Sequence, residues 1–570
     1  MTVSRTEVPP PGAVVGRAVR ALLSGTLAAC LAVGCATPTP PPAVDVPVTE
    51  VQLSATGAIP APRLAVIVVF DQLRADHLVR FAPRFLPATD ANGAPGGFRY
   101  LMERGAWYPY AEHRQLQCMT CPGHANISTG AYPYRHGIAL NSWYDGDKGE
   151  IYCLGDPDQK IVGLSDPSRS YGVSLANLKG PVFADALSFG GQDAKVVGVS
   201  LKDRGSLLLA GHDPDAAIWF DGTEGGWVTT TAVADTLPGW VVSLNDGLRA
   251  RKGEPLTYPI EGPGVGLSDP IDDGFVWKFT VGDKRATYGP FGDELVVEAA
   301  IAALDAEDLG ADDTVDFLGV SFSALDKVGH GVGPNHRVFE EMMVSADRSL
   351  SRLLQALDSR VGLENVVIAV TGDHGVAPLP AWSTRHKLPA QGFDEKLLGA
   401  DLEAVLAGKF GVVPGHGWVH RVMRMNVYLN DAAGAAAGVD MAKVREATAA
   451  HFRPMPGFVH VFTSDDVAAR RLPAGRFELQ ILRQYQPGRS GDVVLIPAPF
   501  NISGGAPANH MTGYTYDTHV PLLLGGFGVE PGVYAQSAEV VDVAPTLSFL
   551  SRVLPPALSE GRVLHEALAR

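Results

Sequence analysis

The chain has no excess of basic residues and few cysteines. Its 570 residues include 46 Lys and Arg against 62 Asp and Glu, for a formal net charge of −16. This balance argues against a basic surface that binds nucleic acid. The five cysteines do not show zinc-finger spacing, and the chain has no internal repeat. A site that binds anions must therefore obtain its positive charge locally, from metal ions, Lys and Arg.

The N-terminus also lacks an apolar run long enough to cross a membrane, because residues 21–34 are too few for a span. The run follows basic residues and ends at Cys35, which resembles a bacterial lipoprotein signal over residues 1–35. Cys30 also fits the lipidation pattern, and ordinary signal cleavage is the alternative. Residues 36–60 are rich in proline and predict a tether. Each of these interpretations places the mature protein outside the cytoplasm, in the periplasm or anchored to the outer membrane.

Three cysteines remain beyond this segment, at Cys118, Cys121 and Cys153. An oxidising compartment permits one disulfide, which would join Cys153 to either Cys118 or Cys121 and leave one free thiol. A redox-active Cys-x-x-Cys motif is the rival interpretation. We favour the disulfide because Thr120, which lies between the first two cysteines, belongs to a stronger catalytic pattern.

Near-continuous apolar runs alternate with amphipathic segments, which predicts an α/β fold with a mainly parallel sheet between helix layers. The runs that predict strands are 64–70, 195–200, 314–321, 365–371 and 520–524, and helices are predicted at 294–309, 337–361 and 540–550. We predict one catalytic domain over residues 61–555. Residues 205–290 are interpreted as an inserted cap, and residues 380–500 as a second insertion.

Carboxylates and imidazoles follow three of the predicted strands. Asp71 comes directly after the first run, Asp326 and His330 follow another, and Asp373 and His374 follow a third. Open α/β sheets bind ligands at these strand ends. Oxygen and imidazole ligands without thiolates suit catalytic zinc. A hydrogen-bonded loop would explain any one pair, but three strand ends together favour metal. Glycines at 329, 331 and 333 lead us to expect a tight loop around Asp326.

Thr120 is the candidate nucleophile. Its alcohol is protonated at neutral pH and needs a metal ion to become reactive. The residues after it, with Pro122, resemble the start of a helix, whose amide groups would face a phosphate. The alternative is that Thr120 only caps this helix.

Six segments together resemble the alkaline phosphatase superfamily, in its nucleotide pyrophosphatase/phosphodiesterase-like branch, and more narrowly its bacterial periplasmic, phosphate-irrepressible members with a threonine nucleophile. They occur in family order across residues 64–525. The segments are Val69–Asp76, Met119–Gly130, Ser200–Arg204, Leu325–Gly331, Thr371–Gly375 and Tyr516–Pro521.

The resemblance implies an alkaline-phosphatase-like α/β/α sandwich with two Zn²⁺ ions per chain. The implied ligands are Asp326, His330 and His519 for one ion, and Asp71, Asp373, His374 and Thr120 for the other. His510 is close enough in sequence to His519 to compete with it. The resemblance also implies that Thr120 forms a phospho-threonine and that Asn141 hydrogen-bonds a phosphoryl oxygen.

Lys202 and Arg204 decide the expected substrate class. Two extra cations favour a phosphomonoester dianion over a diester, and the resemblance implies the same. The alternative is that they are solvated charges at a helix start, where cations are disfavoured. We therefore predict an alkaline phosphatase acting on small phosphomonoesters. The alternatives are a phosphodiesterase or nucleotide pyrophosphatase on the same scaffold, and an inactive lipoprotein that binds phosphorylated ligands.

Overall fold

The chain alternates strands and helices, as the sequence pattern predicts. The computed structural model describes residues 60–169, 171–189, 193–260, 264–265, 269 and 276–569. The predicted signal segment, with Cys30 and Cys35, and the predicted tether up to residue 59 lie outside these residues. Among the helices described, none combines the length and apolarity that a membrane crossing requires.

The strands are β1 (Leu64–Phe70), β2 (Ala106–Glu112), β3 (Ser142–Asp145), β4 (Gly149–Tyr152), β5 (Ile161–Val162), β6 (Val196–Ser200), β7 (Ala216–Asp221), β8 (Gly226–Thr230), β9 (Pro255–Pro259), β10 (Val276–Thr280), β11 (Asp316–Phe322), β12 (Val366–Thr371), β13 (Gly392–Phe393), β14 (Val419–Met423), β15 (Asn426–Leu429), β16 (Phe458–Thr463), β17 (Val493–Pro497), β18 (Ile502–Ser503), β19 (His519–Gly526), β20 (Gly532–Val533) and β21 (Ala538–Glu539).

The α-helices are α1 (Ala75–Phe81), α2 (Phe98–Arg104), α3 (Thr120–Thr129), α4 (Pro133–His136), α5 (Phe183–Phe189), α6 (Asp203–Ala210), α7 (Gly239–Ala250), α8 (Pro290–Ala306), α9 (Ala324–Val332), α10 (Arg337–Arg360), α11 (Pro380–Arg385), α12 (Glu395–Phe410), α13 (Asp431–Ala437), α14 (Met441–Phe452), α15 (Ser464–Ala468), α16 (Arg476–Gln484), α17 (Thr515–Thr518) and α18 (Val543–Leu550).

A mixed central sheet organises the molecule. Its strand order is β20-β2-β19-β12-β1-β11-β6-β7-β8-β5, and β21 also pairs with β2. The five strands from β12 to β7 in this order run parallel to one another. β19, the predicted run at 520–524, pairs antiparallel with β12. The predicted α/β class with a mainly parallel sheet is therefore confirmed.

The two faces of this sheet are covered by separate hydrophobic cores. Along β1, Leu64, Val66 and Val68 face one core, while Ala65 and Ile67 face the other, because successive side chains of a strand point to opposite faces. Helices α8 and α10 contribute to the first core, and α3, α6 and α18 to the second. Both faces of β1 are thus buried, which explains why its sequence is apolar without alternation.

The two segments interpreted as insertions differ in their relation to the central sheet. In the segment 205–290, β7 and β8 extend that sheet beyond β6, and β9 pairs with β10 as a separate hairpin. In the segment 380–500, the strands form a second sheet in the order β14-β15-β17-β16. This sheet has its own core, which includes Trp418 and Phe452.

Candidate metal centre and nucleophile

The carboxyl ends of β1, β11 and β12 meet at one edge of the sheet and carry the predicted carboxylates. Asp71 follows β1, and its backbone N–H donates to the carbonyl of Phe322, the last residue of β11, at 2.9 Å. Asp373 follows β12, and Asp326 lies in the first turn of α9. All three carboxylates are buried. The parallel register therefore brings together side chains that are far apart in sequence.

The expectation of a loop around Asp326 is wrong, because residues 324–332 form helix α9. Asp326 and His330 occupy positions i and i+4 of this helix, and their atoms Oδ1 and Nε2 are 3.2 Å apart. Gly329 does not break the helix, and its lack of a side chain allows Gln72 to pack against it, because a Cβ atom at 329 would lie 1.7 Å from Oε1 of Gln72. Gly333, with φ +75°, ends the helix.

Three imidazoles are each held by one hydrogen bond to a backbone carbonyl. In each ring, Nδ1–H donates to a main-chain carbonyl: His330 to Ala508 at 2.8 Å, His374 to Gly375 at 2.9 Å, and His510 to Cys118 at 2.7 Å. A carbonyl oxygen only accepts, so the proton must be on Nδ1 in each case. Nε2 of each ring is thereby directed into the cluster, where it can bind a metal ion in place of a proton; a backbone partner for the other ring nitrogen is the usual support of histidine ligands.

The structure does not bring the predicted ligand His519 into this cluster. It begins β19, and its Nε2 lies 2.7 Å from the carbonyl oxygen of Pro109 on the adjacent strand β2. His510 takes the predicted place instead. Its ring stacks on that of His374 with centroids 3.6 Å apart, and its centroid is 5.2 Å from that of His330.

Potential ligand atoms converge in two overlapping groups. Asp326, His330 and His510 form one group, and Asp71, Asp326 and His374 form the other, with the ligand atoms of each group within 4.8 Å of one another. Asp373 adjoins the second group, since its Oδ2 lies 3.5 Å from Nε2 of His374. Within the described part of the chain, Asp71 Oδ1 and Asp373 Oδ2 are buried and accept no hydrogen bond. These orphaned oxygens and the oriented Nε2 atoms fit a two-metal centre.

The centre attracts positive charge. The ammonium group of Lys202 contacts Asp71 and lies 2.6 Å from Oδ2 of Asp326. Burial and the charge of Asp326 oppose ionisation of Asp71, but Lys202 and His374 outweigh them and lower its pKa. Burial also disfavours charge on His374, yet Asp373, Asp71 and Asp326 raise the pKa of its imidazole to about 9. Divalent cations would satisfy the same electrostatic demand.

Thr120 is the first residue of helix α3 and borders this centre. Its Oγ1 lies 3.5 Å from Nε2 of His374. The N-cap position belongs to Met119, without a side-chain capping bond, so Thr120 does not serve as the cap. Gly123 allows the first turn of α3 to pack on Asp373, whose carbonyl oxygen would lie 2.2 Å from a Cβ atom at 123. The hydroxyl and the N-terminus of α3 therefore face the metal-ligand cluster.

Polar groups suited to phosphate lie close to Thr120 and to the ligand cluster. Asn141 Oδ1 accepts from the backbone N–H of Cys121 at 2.8 Å, which leaves its NH₂ group free to donate elsewhere. Arg204 Nη1 lies 3.4 Å from the hydroxyl of Tyr152, and that hydroxyl donates to Asp203 at 2.7 Å. Lys202 and Arg204 thus point into the protein at the start of α6, with side chains only 9% and 22% exposed.

A disulfide links the start of α3 to this region. Cys121 is bonded to Cys153, just after β4, and Cys118 is a buried free thiol. Of the two predicted pairings, the structure therefore has the one through Cys121.

Gln72 and Asp517 support the site and were missed from sequence. Gln72 has φ +74°, its backbone N–H donates to Asp373 at 3.1 Å, and its side-chain amide donates to Asp326 at 2.7 Å. Asp517 accepts from the backbone and hydroxyl of Thr512 and thereby orders the turn after His510. Their only sequence signal is proximity to candidate ligands.

The structure is thus an α/β protein with a candidate metal centre at the carboxyl ends of its parallel strands. A model of the type I phosphodiesterase / nucleotide pyrophosphatase family matches residues 65–505, and the chain belongs to this family.

Within the family, the chain resembles bacterial alkaline phosphatases over nearly its whole length. It is 31% identical to alkaline phosphatase PafA of Elizabethkingia meningoseptica, covering 90% of this chain and 96% of that protein. It is 29% identical to alkaline phosphatase PhoV of Synechococcus elongatus, covering 89% and 93%. The crystal structure of wild-type PafA superposes with a TM-score of 0.80 at 30% identity, covering 90% of this chain and 100% of that one. Murine ectonucleotide pyrophosphatase/phosphodiesterase 5 shares the fold, with a TM-score of 0.51 at 14% identity, covering 89% and 100%.

Proposed function

We propose that the protein is a two-zinc alkaline phosphatase that hydrolyses small phosphomonoesters through a phospho-threonine at Thr120. One observation carries the proposal: three buried carboxylates and three imidazoles, each held at Nδ1 by a backbone carbonyl, converge beside the Thr120 hydroxyl. The similarity to PafA and PhoV supports the activity.

The proposed ligands differ from the sequence prediction at one position. Asp326, His330 and His510 would hold one ion, and Asp71, Asp373, His374 and Thr120 the other. The oxygen and nitrogen donor set suits zinc, and the overlap of the two groups at Asp326 suits ions close enough to act together. Such ions, when bound, act as Lewis acids and lower the pKa of a coordinated hydroxyl or water.

Thr120 gives up its hydroxyl proton to solvent and its Oγ1 attacks phosphorus, while the bond from phosphorus to the alcohol oxygen breaks. The departing oxygen takes a proton from water. A second water then attacks phosphorus and loses a proton, the bond from phosphorus to Oγ1 breaks, Oγ1 takes up that proton, and inorganic phosphate leaves. Asn141, Lys202 and Arg204 would bind the non-bridging oxygens. Such transition states are stabilised mainly by positioning and charge.

Replacing both Lys202 and Arg204 with alanine tests the monoester assignment. The variant should lose roughly 100-fold or more of kcat/KM for an aryl phosphate monoester and much less for the matching methyl diester, because charge-assisted hydrogen bonds to the dianion are removed. Both constants are measured in one alkaline, zinc-containing assay, with wild-type protein as the control. A wild-type enzyme that prefers the diester would favour the phosphodiesterase alternative.

We also propose an extracytoplasmic location. The Cys121–Cys153 disulfide supports it, because such bonds persist outside the reducing cytoplasm. The lipid anchor at Cys35 or Cys30 remains part of this proposal. The test is to denature cells directly in an alkylating reagent without reductant and to analyse the protein by mass spectrometry. Cys118 should be alkylated, and Cys121 and Cys153 should not. Labelling of all three cysteines would argue for a reducing location.

A further inference from the structure

Arg424, at the tip of the β14–β15 hairpin, lies at the edge of the proposed phosphate site. Arg424 and Met425 form the turn with φ +50° and +58°, a conformation that side chains larger than glycine or asparagine rarely adopt. Neighbouring groups hold this turn: Gln117 Nε2 donates to the Arg424 carbonyl at 2.6 Å, and Asn426 Nδ2 donates to it at 2.8 Å. Glu395 accepts from Met425 N–H at 3.0 Å. The hairpin tip is therefore fixed to the loop that precedes Thr120.

The guanidinium group extends toward the residues proposed to bind phosphate. Its Nη2 donates to Ser142 Oγ at 2.8 Å. Ser142 follows Asn141 in the chain and pairs across the β3–β4 hairpin with Tyr152. The Tyr152 hydroxyl in turn lies 3.4 Å from Nη1 of Arg204. Arg424 thus adjoins the segment that carries both Asn141 and the tyrosine partner of Arg204.

The charge of Arg424 is incompletely compensated. No carboxylate among the described residues lies within ion-pair distance of its guanidinium group, and its Nε is buried without a hydrogen bond, as is Nε of Arg204. Burial lowers the pKa of Arg424, Glu150 and Glu395 partly raise it, and the charge of Arg204 lowers it again. Burying two neighbouring cations with unpaired N–H donors is unfavourable unless an anion joins them.

We propose that Arg424 is a substrate-binding residue that, together with Arg204 and Asn141, binds a non-bridging oxygen of the phosphoryl group. This inference rests on the proposed phosphatase function. It assigns part of substrate recognition to the second sheet, in the segment 380–500. A monoester dianion presents more charge to this group than a diester does, so Arg424 would add to the preference for monoesters.

The test compares Arg424→Met, Arg424→Lys and the control Arg421→Met. Arg421 belongs to the same hairpin, but its side chain is 52% exposed and it lies 3.8 Å from Glu150. For each zinc-loaded variant, kcat/KM is measured for an aryl phosphate monoester and its methyl diester, and inorganic phosphate is used as a competitive inhibitor. Thermal unfolding and zinc content verify that each variant is folded and loaded.

Arg424→Met should lower kcat/KM for the monoester by about 10- to 100-fold and change kcat/KM for the diester by less than about threefold. The same variant should raise the inhibition constant of inorganic phosphate about tenfold. Arg424→Lys should recover part of each loss, and Arg421→Met should change each constant by less than about twofold. Equal losses for both substrates, or unchanged phosphate inhibition, would overturn the inference. If the wild-type protein turns over no monoester, the proposed function itself fails, and calorimetric binding of inorganic phosphate to the same variants still decides the role of Arg424.

Discussion

Thr120→Ala should lower phosphomonoesterase kcat by roughly 10³-fold or more, because the residue that accepts the phosphoryl group is lost while the rest of the site remains. Thr120→Ser should retain a substantial part of the activity, since its hydroxyl can occupy the same position at the start of α3. The measurement is single-turnover kinetics with an aryl phosphate, followed by acid quenching and mass spectrometry of the peptide that contains residue 120.

The mass measurement separates this role from a structural one. Wild-type and Thr120→Ser proteins should carry a phosphoryl group on residue 120, and Thr120→Ala should carry none. Thr120 does not cap α3, so the alanine variant should unfold at nearly the wild-type temperature. A phosphoryl group on another residue, or full activity of Thr120→Ala, would exclude Thr120 as the nucleophile.

His510→Ala and His519→Ala form a matched pair with opposite expected outcomes. His510→Ala should weaken zinc binding by at least roughly 100-fold and lower activity with it, because a ligand and its orienting hydrogen bond are removed. His519→Ala should change zinc affinity by less than about threefold, since His519 contacts the Pro109 carbonyl outside the cluster. Titration of metal-free protein with zinc, followed by dialysis and elemental analysis, gives both stoichiometry and affinity.

Zinc content is measured as well as activity. A variant that loses activity but still binds two zinc ions would therefore not count as having lost a metal ligand. His510→Ala should bind close to one zinc per chain under conditions in which wild-type protein binds two. The reverse pattern, with His519→Ala deficient in zinc, would restore the ligand set that the sequence motif suggested.

The strand-end carboxylates could be predicted because their signal is local. Strand β1 is buried on both faces, so its residues are continuously apolar and Asp71 marks its end. The same argument applies to Asp373 after β12. Because β1 and β12 pair in parallel, their carboxyl ends are neighbours, and no further sequence signal is needed to bring Asp71 and Asp373 together.

The failures concern information that local sequence does not contain. Three glycines near Asp326 suggested a loop, but Gly329 is needed for the close approach of Gln72, a residue far away in the chain. The choice between His510 and His519 depends on which ring nitrogen faces a carbonyl, and therefore on tertiary contacts with Cys118 and Pro109. The roles of Gln72 and Arg424 depend on hydrogen bonds to residues far away in the chain, to Asp326 and Asp373 for Gln72 and to Ser142 for Arg424.

The proposed ligands span the chain from Asp71 to His510, which has a consequence for how the protein matures. No product of synthesis that stops before residue 510 can complete the proposed centre, whatever part of the sheet has already formed. Metal that binds only the folded chain also stabilises it against unfolding, in proportion to the logarithm of the free ion concentration. The supply of metal at the place of folding would then govern how much protein accumulates as well as how active each molecule is.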